Sequence, residues 1–357
     1  MMRHGAGRWR YGRTRSRGKE EQGKMGRKQM GLLSFTRRSL AAGIGALAAG
    51  PSLGRPALAQ QGGAQRPVTI VVPFAAGGST DVVTRLLAER MGQLLGQTVL
   101  VENRPGGNTV IGAESVARAR PDGQTLLMGA GTTLTINPVI VPNLPYAVAD
   151  FAPISLVSTF PFAIIAQNDG PADIAAMVAA ARARPGQITY GTNGPTTLTN
   201  MAMLMVLERL GLQMQDVTYR GDAGQLNDFL ARNLDLMVVA GSTALPVYRN
   251  RQGRLLGWTS ERRVPTTPEI PTFGEVTPGL VAQSWFGLVA PARTPQPVID
   301  RLHGATVEAL RDQRIERRLT EEAQFLAGST PAEFSAFMQV EAERWRPILA
   351  RIAARQG

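Results

Sequence analysis

Residues 68–95 read VTIVVPFAAGGSTDVVTRLLAERMGQLL, and this stretch decides the fold class. Its first five residues are nearly all apolar, which is typical of a strand buried on both faces of a parallel sheet. A glycine turn, 73–80, follows, and a helix is predicted from Asp81 because apolar residues then recur at helical spacing. Glycines free backbone N–H groups, and the positive end of the following helix points the same way. The unit therefore predicts a small anion-binding site.

The same strand–turn–helix unit recurs downstream. A second strand is predicted at 99–102, a short helix at 112–119, and a third strand at 125–128. This β-α-β-α-β order favours a parallel sheet with right-handed crossovers. Ligands bind beyond the carboxyl ends of such strands, so we expect the turns 77–79 and 131–133 to lie at one site.

The second half of the chain repeats this organisation. Its predicted strands are 188–190, 217–219, 234–240, 255–259 and 285–289. The final helix is expected to begin at Pro331, because Thr330 and Glu333 have the spacing of a capping box. A body of this length is large enough for two α/β domains.

Several stretches, in order along the whole body, resemble the Bug family, the extracytoplasmic solute-binding proteins of tripartite tricarboxylate transporters. They are PFAAGGSTD (73–81), VENRPGG (101–107), PDG (121–123), LLMG (126–129), ARPG (183–186), YRG (219–221), LDLM (234–237) and SWFG (284–287). The resemblance implies an α/β, two-lobed periplasmic-binding-protein fold of the type II kind. In that fold each lobe is a mostly parallel sheet flanked by helices, and the ligand cleft lies between the lobes.

The resemblance also suggests where the lobes begin and end. We expect 60–160 and 286–357 to form the first lobe and 161–285 to form the second. Two crossover segments, near 154–165 and 283–289, are expected to join them.

A small carboxylate-bearing ligand, captured by lobe closure, is a further implication of the resemblance. Such a ligand is held by backbone amides, hydroxyls and water rather than by a cluster of Arg and Lys. The residues expected to contact it lie in the turns after the predicted strands: Phe74, Ala76, Gly77, Gly78, Ser79, Thr80, Asp81, Gly131, Thr132, Thr133, Asn193, Gly194, Thr196, Thr197, Arg220, Gly221, Asp222, Gly241 and Ser242.

Three charged residues in these turns have more than one interpretation. Asp81 would repel an anion, so we expect it mainly to organise the first turn. Asp222 would repel a second carboxylate or pair with a ligand ammonium, and a helix N-cap role is favoured. Arg220 stands where many relatives have lysine and could bind a carboxylate through two hydrogen bonds. Many relatives also carry an acidic residue after the strand that here ends at Gly241. The absence of this acidic residue from the present sequence suggests that its ligand differs from theirs.

These features predict a solute-binding protein that delivers its ligand to the membrane permease subunits of a tripartite transporter, and not an enzyme. The alternative is a periplasmic, hydrolase-like enzyme that uses Ser79 or Ser242, although the sequence reveals no partner base for either. No cofactor and no metal site are expected, because the body has no cysteine and its one histidine is His303. The protein is expected to be a monomer.

The charge distribution argues against a nucleic-acid partner despite a net charge of +12. The first 59 residues hold 13 of the 39 Lys and Arg residues and 2 of the 27 Asp and Glu residues. The other 298 residues carry 26 basic and 25 acidic side chains. A nearly neutral body offers no electrostatic basis for binding nucleic acid.

Residues 1–59 are predicted to be a basic extension followed by an export signal. Two arginines, Arg37 and Arg38, precede an apolar stretch, 40–53, that is too short to span a bilayer comfortably. Small residues then favour cleavage near Ala59-Gln60. The twin arginines favour Tat export over an ordinary Sec signal. Either route predicts a periplasmic protein that is not membrane-embedded, and translation from Met30 is an alternative to a disordered extension.

Overall fold

The computed structural model describes residues 66–194, 197–219 and 221–356, with side chains as far as residue 351. The predicted export signal and its cleavage site lie outside the described residues, as do Thr196 and Arg220.

Strands and helices alternate through most of this part of the chain. The strands are β1 (Val68–Val72), β2 (Val99–Asn103), β3 (Thr125–Ala130), β4 (Phe151–Ala166), β5 (Thr189–Thr192), β6 (Gln215–Thr218), β7 (Leu236–Ala240), β8 (Arg254–Trp258), β9 (Gln283–Pro291) and β10 (Phe325–Leu326). The helices are α1 (Ser79–Leu95), α2 (Val110–Ala117), α3 (Asn137–Ile140), α4 (Ile174–Ala183), α5 (Leu198–Leu210), α6 (Asp222–Leu230), α7 (Gly241–Arg249), α8 (Phe273–Val276), α9 (Gln296–Ala309), α10 (Gln313–Glu321) and α11 (Pro331–Gln356). A π-helical segment (Thr132–Ile136) and a 3-10 turn (Val148–Asp150) complete the assignment.

The strands form one continuous sheet in the order β2-β1-β3-β9-β4-β7-β5-β6, and β8 and β10 also pair with β4. Two parallel groups, β2-β1-β3 and β7-β5-β6, lie at its ends. Between them β9 and β4 pair antiparallel to their neighbours. Each end of the sheet is therefore mostly parallel, as the sequence predicts, and the strands that connect the two groups run against them.

Strand β4 links the two ends of the sheet. It is 16 residues long; its first part, 151–161, pairs with β9, and its last part, 162–166, pairs with β7 and β8. Its register against β9 shifts twice, between Pro153 and Ser155 and between Leu156 and Ser158. Such irregularities bend a strand and increase its twist. β4 and β9 overlap the two crossover segments predicted from the sequence.

The buried side chains show why the first stretch folds as a strand and a helix. Every residue of β1 except the half-buried Thr69 is buried, as the unbroken apolar run predicts. On one face of β1, Ile70 packs with Leu87 and Met91 of α1. Helix α1 begins at Ser79, two residues before the predicted start. The residue that follows its last residue, Leu95, is Gly96, which has a left-handed backbone conformation. Gly96 is therefore a typical C-terminal cap.

Helix α11 packs against both ends of the sheet. Near its start Phe334 lies edge-to-face on Trp285 of β9, with ring centroids 5.4 Å apart. Near its end Trp345 and Leu349 are buried in the same apolar cluster as α5, and Arg351 forms an ion pair with Glu208 of α5. The prediction that all of 286–357 belongs to the first lobe did not include this contact between the end of α11 and α5.

The predicted capping box at the start of α11 is present, since the amide of Glu333 donates to Thr330 Oγ1 (3.2 Å).

The close packing of Gly287 against α11 gives a test of this arrangement. A Cβ at Gly287 would collide with the ring of Phe334, so Gly287→Ala should lower the free energy of unfolding by about 2 kcal/mol. The matched control is Gly304→Ala on the exposed face of α9, where a Cβ meets nothing within 4 Å. This second change should raise stability by about 0.5–1 kcal/mol. Urea unfolding measures both, and equal effects would contradict the packing.

Candidate functional site

The turn between β1 and α1 is built around the carboxylate of Asp81. The amide of Gly77 donates to Asp81 Oδ2 (2.9 Å), and Asn103 Nδ2 donates to Asp81 Oδ1 (3.0 Å). Arg85, one helical turn further along, adds an ion pair at 2.9 Å. Gly77 has a φ of 84°, which favours glycine. These contacts place Asp81 in the role of turn organiser.

The same contacts set the ionisation of Asp81. Burial raises the pKa of this carboxyl group, since its residue is only 3% exposed. Hydrogen bonds from Arg85, the Gly77 amide and Asn103 lower it by more, so the pKa lies below its ordinary value. Asp81 is therefore a charged, fully engaged anchor in the neutral pH range.

The first amides of α1 are left for another partner. The N-cap residue is Gly78, which provides no side-chain cap, and the first helical hydrogen bond is that of the Val82 amide to the Gly78 carbonyl oxygen (3.1 Å). The amides of the first turn have no partner within a helix. Ala76, Gly77 and Gly78 are exposed, whereas Phe74 is half-buried against Phe286. The turn thus presents backbone N–H groups at the positive end of a 17-residue helix.

The side chain of Ser79 has partners that the sequence analysis did not foresee. Its hydroxyl donates to the carboxylate of Glu322 and accepts from Gln324 Nε2 (2.9 Å). Gln324 also accepts from Ser158 Oγ of β4 (2.7 Å), and Arg318 pairs with Glu322. No local pattern marks Glu322 and Gln324 as partners of Ser79, because they lie more than 240 positions beyond it. Thr80 is buried, and its carbonyl oxygen accepts from Thr84 Oγ1 at 2.5 Å.

Beyond the end of β3, the predicted residues separate into different roles. Gly131 lies next to Trp285 and to Leu198 at the start of α5. Thr133 is buried and donates to Thr109 Oγ1 (2.9 Å), so its hydroxyl is engaged inside the protein. Thr132 is half-buried and begins the π-helical segment. Gly131 is thus the member of this turn that reaches the second half of the chain.

The turn between β5 and α5 has a similar construction. Gly194 has a φ of 121°, and Thr197 caps α5 by accepting from the Asn200 amide (3.5 Å). The hydroxyl of Thr197 donates to the carbonyl oxygen of Gly194 (2.7 Å). Asn193 Nδ2 donates to Asp222 Oδ1 (2.6 Å). Because a carboxylate only accepts, this contact fixes which end of the Asn193 amide is the oxygen.

Asp222 is the first residue of α6, and the N-cap is Gly221, whose φ is 117°. The favoured N-cap interpretation of Asp222 is therefore wrong by one residue. Its second carboxylate oxygen, Oδ2, accepts from Thr243 Oγ1 of α7 (2.6 Å). Asp222 consequently ties the turn before α5 to the first turn of α7.

At the end of β7, Gly241 allows a close approach and Ser242 is exposed. A Cβ at Gly241 would collide with the carbonyl oxygen of Glu322 and with Ala323. The segment before β10 thus touches both α1, through Ser79, and α7, through Gly241. α6 and α7 both begin without a side-chain cap.

Two buried polar atoms near these turns have no hydrogen-bond partner in the described part of the chain. They are Asn193 Oδ1, an acceptor, and Trp285 Nε1, a donor. The sequence analysis placed Trp285 in a strand and did not consider its indole N–H. A cavity of about 240 Å³, lined in part by Asp150 and Arg293, does not coincide with the predicted residues.

Comparison with known proteins identifies the family. The model of the tripartite tricarboxylate transporter family receptor matches residues 83–354. The chain belongs to this family. A UPF0065 protein from the tcbD–tcbE intergenic region of Pseudomonas sp. (strain P51) is 32% identical over 288 residues, which cover 80% of this chain and 85% of that protein.

Solved structures of similar chains confirm the predicted fold class. The periplasmic binding protein BugD is 32% identical, with a TM-score of 0.69 over 81% of this chain and 98% of its own. MatC from Rhodopseudomonas palustris, whose structure contains bound malate, is 28% identical, with a TM-score of 0.69 over 80% of this chain and 99% of its own. The resemblance to Bug proteins and the two-lobed binding-protein fold are thereby confirmed.

Among the described residues, no helix is both long and apolar enough to cross a membrane. The same residues contain no group of three or more His, Cys, Asp or Glu side chains placed to hold a metal ion.

The role of Asp81 leads to a prediction about stability and pH. Asp81→Asn removes the charge that receives three sets of donors, and it should cost about 2 kcal/mol of unfolding free energy at pH 7. A carboxyl whose folded pKa is depressed stabilises above its unfolded pKa of about 4 and loses that contribution as pH falls further. The difference in unfolding free energy between wild type and the Asp81→Asn variant should therefore narrow below a pH of about 4.

Glu89→Gln is the control, because Glu89 is half exposed and pairs with Arg314 at the surface. It should change the unfolding free energy by less than about 0.5 kcal/mol. Urea unfolding across the pH range measures both variants, and a pH-independent gap for Asp81→Asn would refute the anchoring role.

Proposed function

We propose that the protein captures a small carboxylate-bearing solute between turns at the two ends of its sheet and delivers it to the permease subunits of a tripartite tricarboxylate-type transporter. The observation that carries this proposal is that the helices α1, α6 and α7 begin without a side-chain cap on their first amides. Each of these helices begins at a turn that is predicted to bind ligand. Such amides, at the positive end of a helix, suit a carboxylate.

The magnitudes favour a clamp of two lobes. Micromolar affinity needs about 8 kcal/mol, whereas one helix N-terminus contributes at most about 2 kcal/mol. Charge-assisted hydrogen bonds add about 1.5–3 kcal/mol each, so several are needed together. One turn offers too few donors, but turns at both ends of the sheet offer enough. We therefore assign 60–160 and 286–357 to one lobe and 161–285 to the other, with the end of α11 packed across them.

Asn193 supports a narrower choice of ligand. Its Oδ1 is buried, and it needs a donor that the described residues do not supply. A ligand with a hydroxyl or ammonium group beside its carboxylate would supply one. MatC, the relative described above, has malate bound, and malate is such a hydroxy acid.

We also propose where the protein works and in which oligomeric state. The protein works in the periplasm as a monomer without a cofactor, after Tat export and cleavage near Ala59-Gln60. It binds its ligand without transforming it. Arg220, which lies outside the described residues, is proposed to contact the ligand carboxylate, and so is Thr196.

One contact favours a second candidate, an enzyme. The hydroxyl of Ser79 donates to the Glu322 carboxylate, so a possible base lies beside this serine. Gln324 and Arg318 also bond that carboxylate, so it is engaged in contacts within the protein. The solute-binding role is therefore preferred, and turnover of a bound compound would reverse this preference.

Calorimetric titration with matched acids tests the proposal. Malate should bind, and succinate, which lacks the hydroxyl, should bind about tenfold more weakly if one hydrogen bond of about 1.4 kcal/mol is lost. The dimethyl ester of malate, which has no carboxylate, should not bind. The bound acid should be recovered unchanged after prolonged incubation.

Gly78→Val completes the titration as the matched protein variant. Gly78 has a φ of −73°, and a Cβ there meets only the Ala75 carbonyl oxygen, at 3.6 Å, so the variant should fold. The new side chain would cover the first amides of α1 and lower affinity for malate at least tenfold. Binding of no carboxylate in a wider panel, or equal affinity of the folded variant, would refute the proposed site.

A further inference from the structure

The indole N–H of Trp285 is a buried donor without a hydrogen-bond partner. Trp285 is only 1% exposed, and its Nε1 contacts no acceptor among the described residues. The other two tryptophans of the described chain are paired: Trp258 Nε1 donates to Thr267 Oγ1 (2.9 Å), and Trp345 Nε1 donates to Glu341 (3.3 Å). A buried unpaired donor is costly, so an acceptor is expected in some state of the protein.

Trp285 lies at the point where the two ends of the sheet meet. Its neighbour in sequence, Phe286, pairs with Ala130, the last residue of β3. Trp285 itself pairs with Thr159 of β4. Because Phe286 lies opposite the last residue of β3, Trp285 lies just beyond the carboxyl end of that strand. In sheets of this kind, ligands bind beyond those ends.

Gly131 places no side chain next to the indole N–H on the side of the second turn. A Cβ on Gly131 would lie 3.3 Å from Trp285 Nε1 and 3.1 Å from Leu198 Cδ1, which is closer than side chains ordinarily approach. Leu198 is the first residue of α5 and directly follows the cap residue Thr197. The N–H group, the missing side chain and the start of α5 thus share one small region.

We propose that Trp285 Nε1–H donates a hydrogen bond to a carboxylate oxygen of the bound solute at the base of the cleft, and that Gly131 keeps this position open. The proposal rests on the proposed function and adds a specific donor to it. The other side of the ring packs on Phe334 and Phe337 of α11, which fixes the direction of the N–H. A fixed, dry donor is favourable for a carboxylate.

Trp285 Nε1 is buried in this structure and Leu198 lies beside Gly131, so binding requires a movement. The start of α5 must draw back from Gly131 before a carboxylate oxygen can reach Nε1. Closure without ligand is disfavoured, because it buries the indole N–H of Trp285 without a hydrogen-bond partner. Trp285 would therefore favour the closed form only when a carboxylate is present.

Trp285→Phe tests the proposal, because it removes the N–H and keeps an aromatic ring on α11. With malate as the probe, the variant should bind about tenfold more weakly by calorimetry, as expected for one lost hydrogen bond to a charged group. Its stability without ligand should fall less than that of Trp258→Phe, which leaves Thr267 without its partner. Trp258→Phe should in turn bind malate with unchanged affinity.

Indole N–H resonances provide a readout that a cavity left by the smaller ring does not affect. The Trp285 resonance, assigned by its absence in Trp285→Phe, should move downfield when malate is added to wild type, whereas that of Trp258 should not. If wild type binds malate while the variant binds it equally and the Trp285 resonance stays in place, the inference is refuted and the proposed function stands. If wild type binds no carboxylate, both are refuted.

Discussion

A carboxylate anchors each of the two principal turns from within the protein. Asp81 receives Gly77, Asn103 and Arg85, and so joins the first turn to β2 and α1. In the second half of the chain, Asp222 receives Asn193 and Thr243, and so joins the turn before α5 to α7. Buried charges persist only when such donors surround them. The internal acids mostly use side-chain donors, and α1, α6 and α7 begin without a side-chain cap.

A third acidic residue, Glu322, connects the start of α1 to the start of α7. Glu322 receives Ser79 at the start of α1, while its carbonyl oxygen lies against Gly241 at the start of α7. Gln324 continues this contact to Ser158 on β4, the strand that links both ends of the sheet. Any change in the angle between the ends must therefore alter contacts beside the first turn. Gln324 thus joins the start of α1 to β4 through two hydrogen bonds.

The sequence predicts the local units better than the connections between them. The apolar run of β1, the glycine turns and the capping box of α11 are local patterns, and each appears in the structure as expected. The antiparallel pairing of β4 and β9 could not be predicted because it depends on where distant strands return. Glu322 and Gln324 were missed for the same reason, since Ser79 and Ser158 lie far from them in sequence, and no local pattern marks the indole of Trp285 as unpaired. Asp222 was misplaced by one residue because Gly221, with its positive φ, provides the cap position.

We propose that turns at both ends of the sheet bind one solute together, so closure must accompany binding. Small-angle scattering with and without saturating malate tests this closure. We expect a smaller radius of gyration once malate is bound, with binding confirmed by calorimetry on the same sample. An unchanged radius in a sample that binds malate would mean that the cleft is preformed, and it would contradict the clamp.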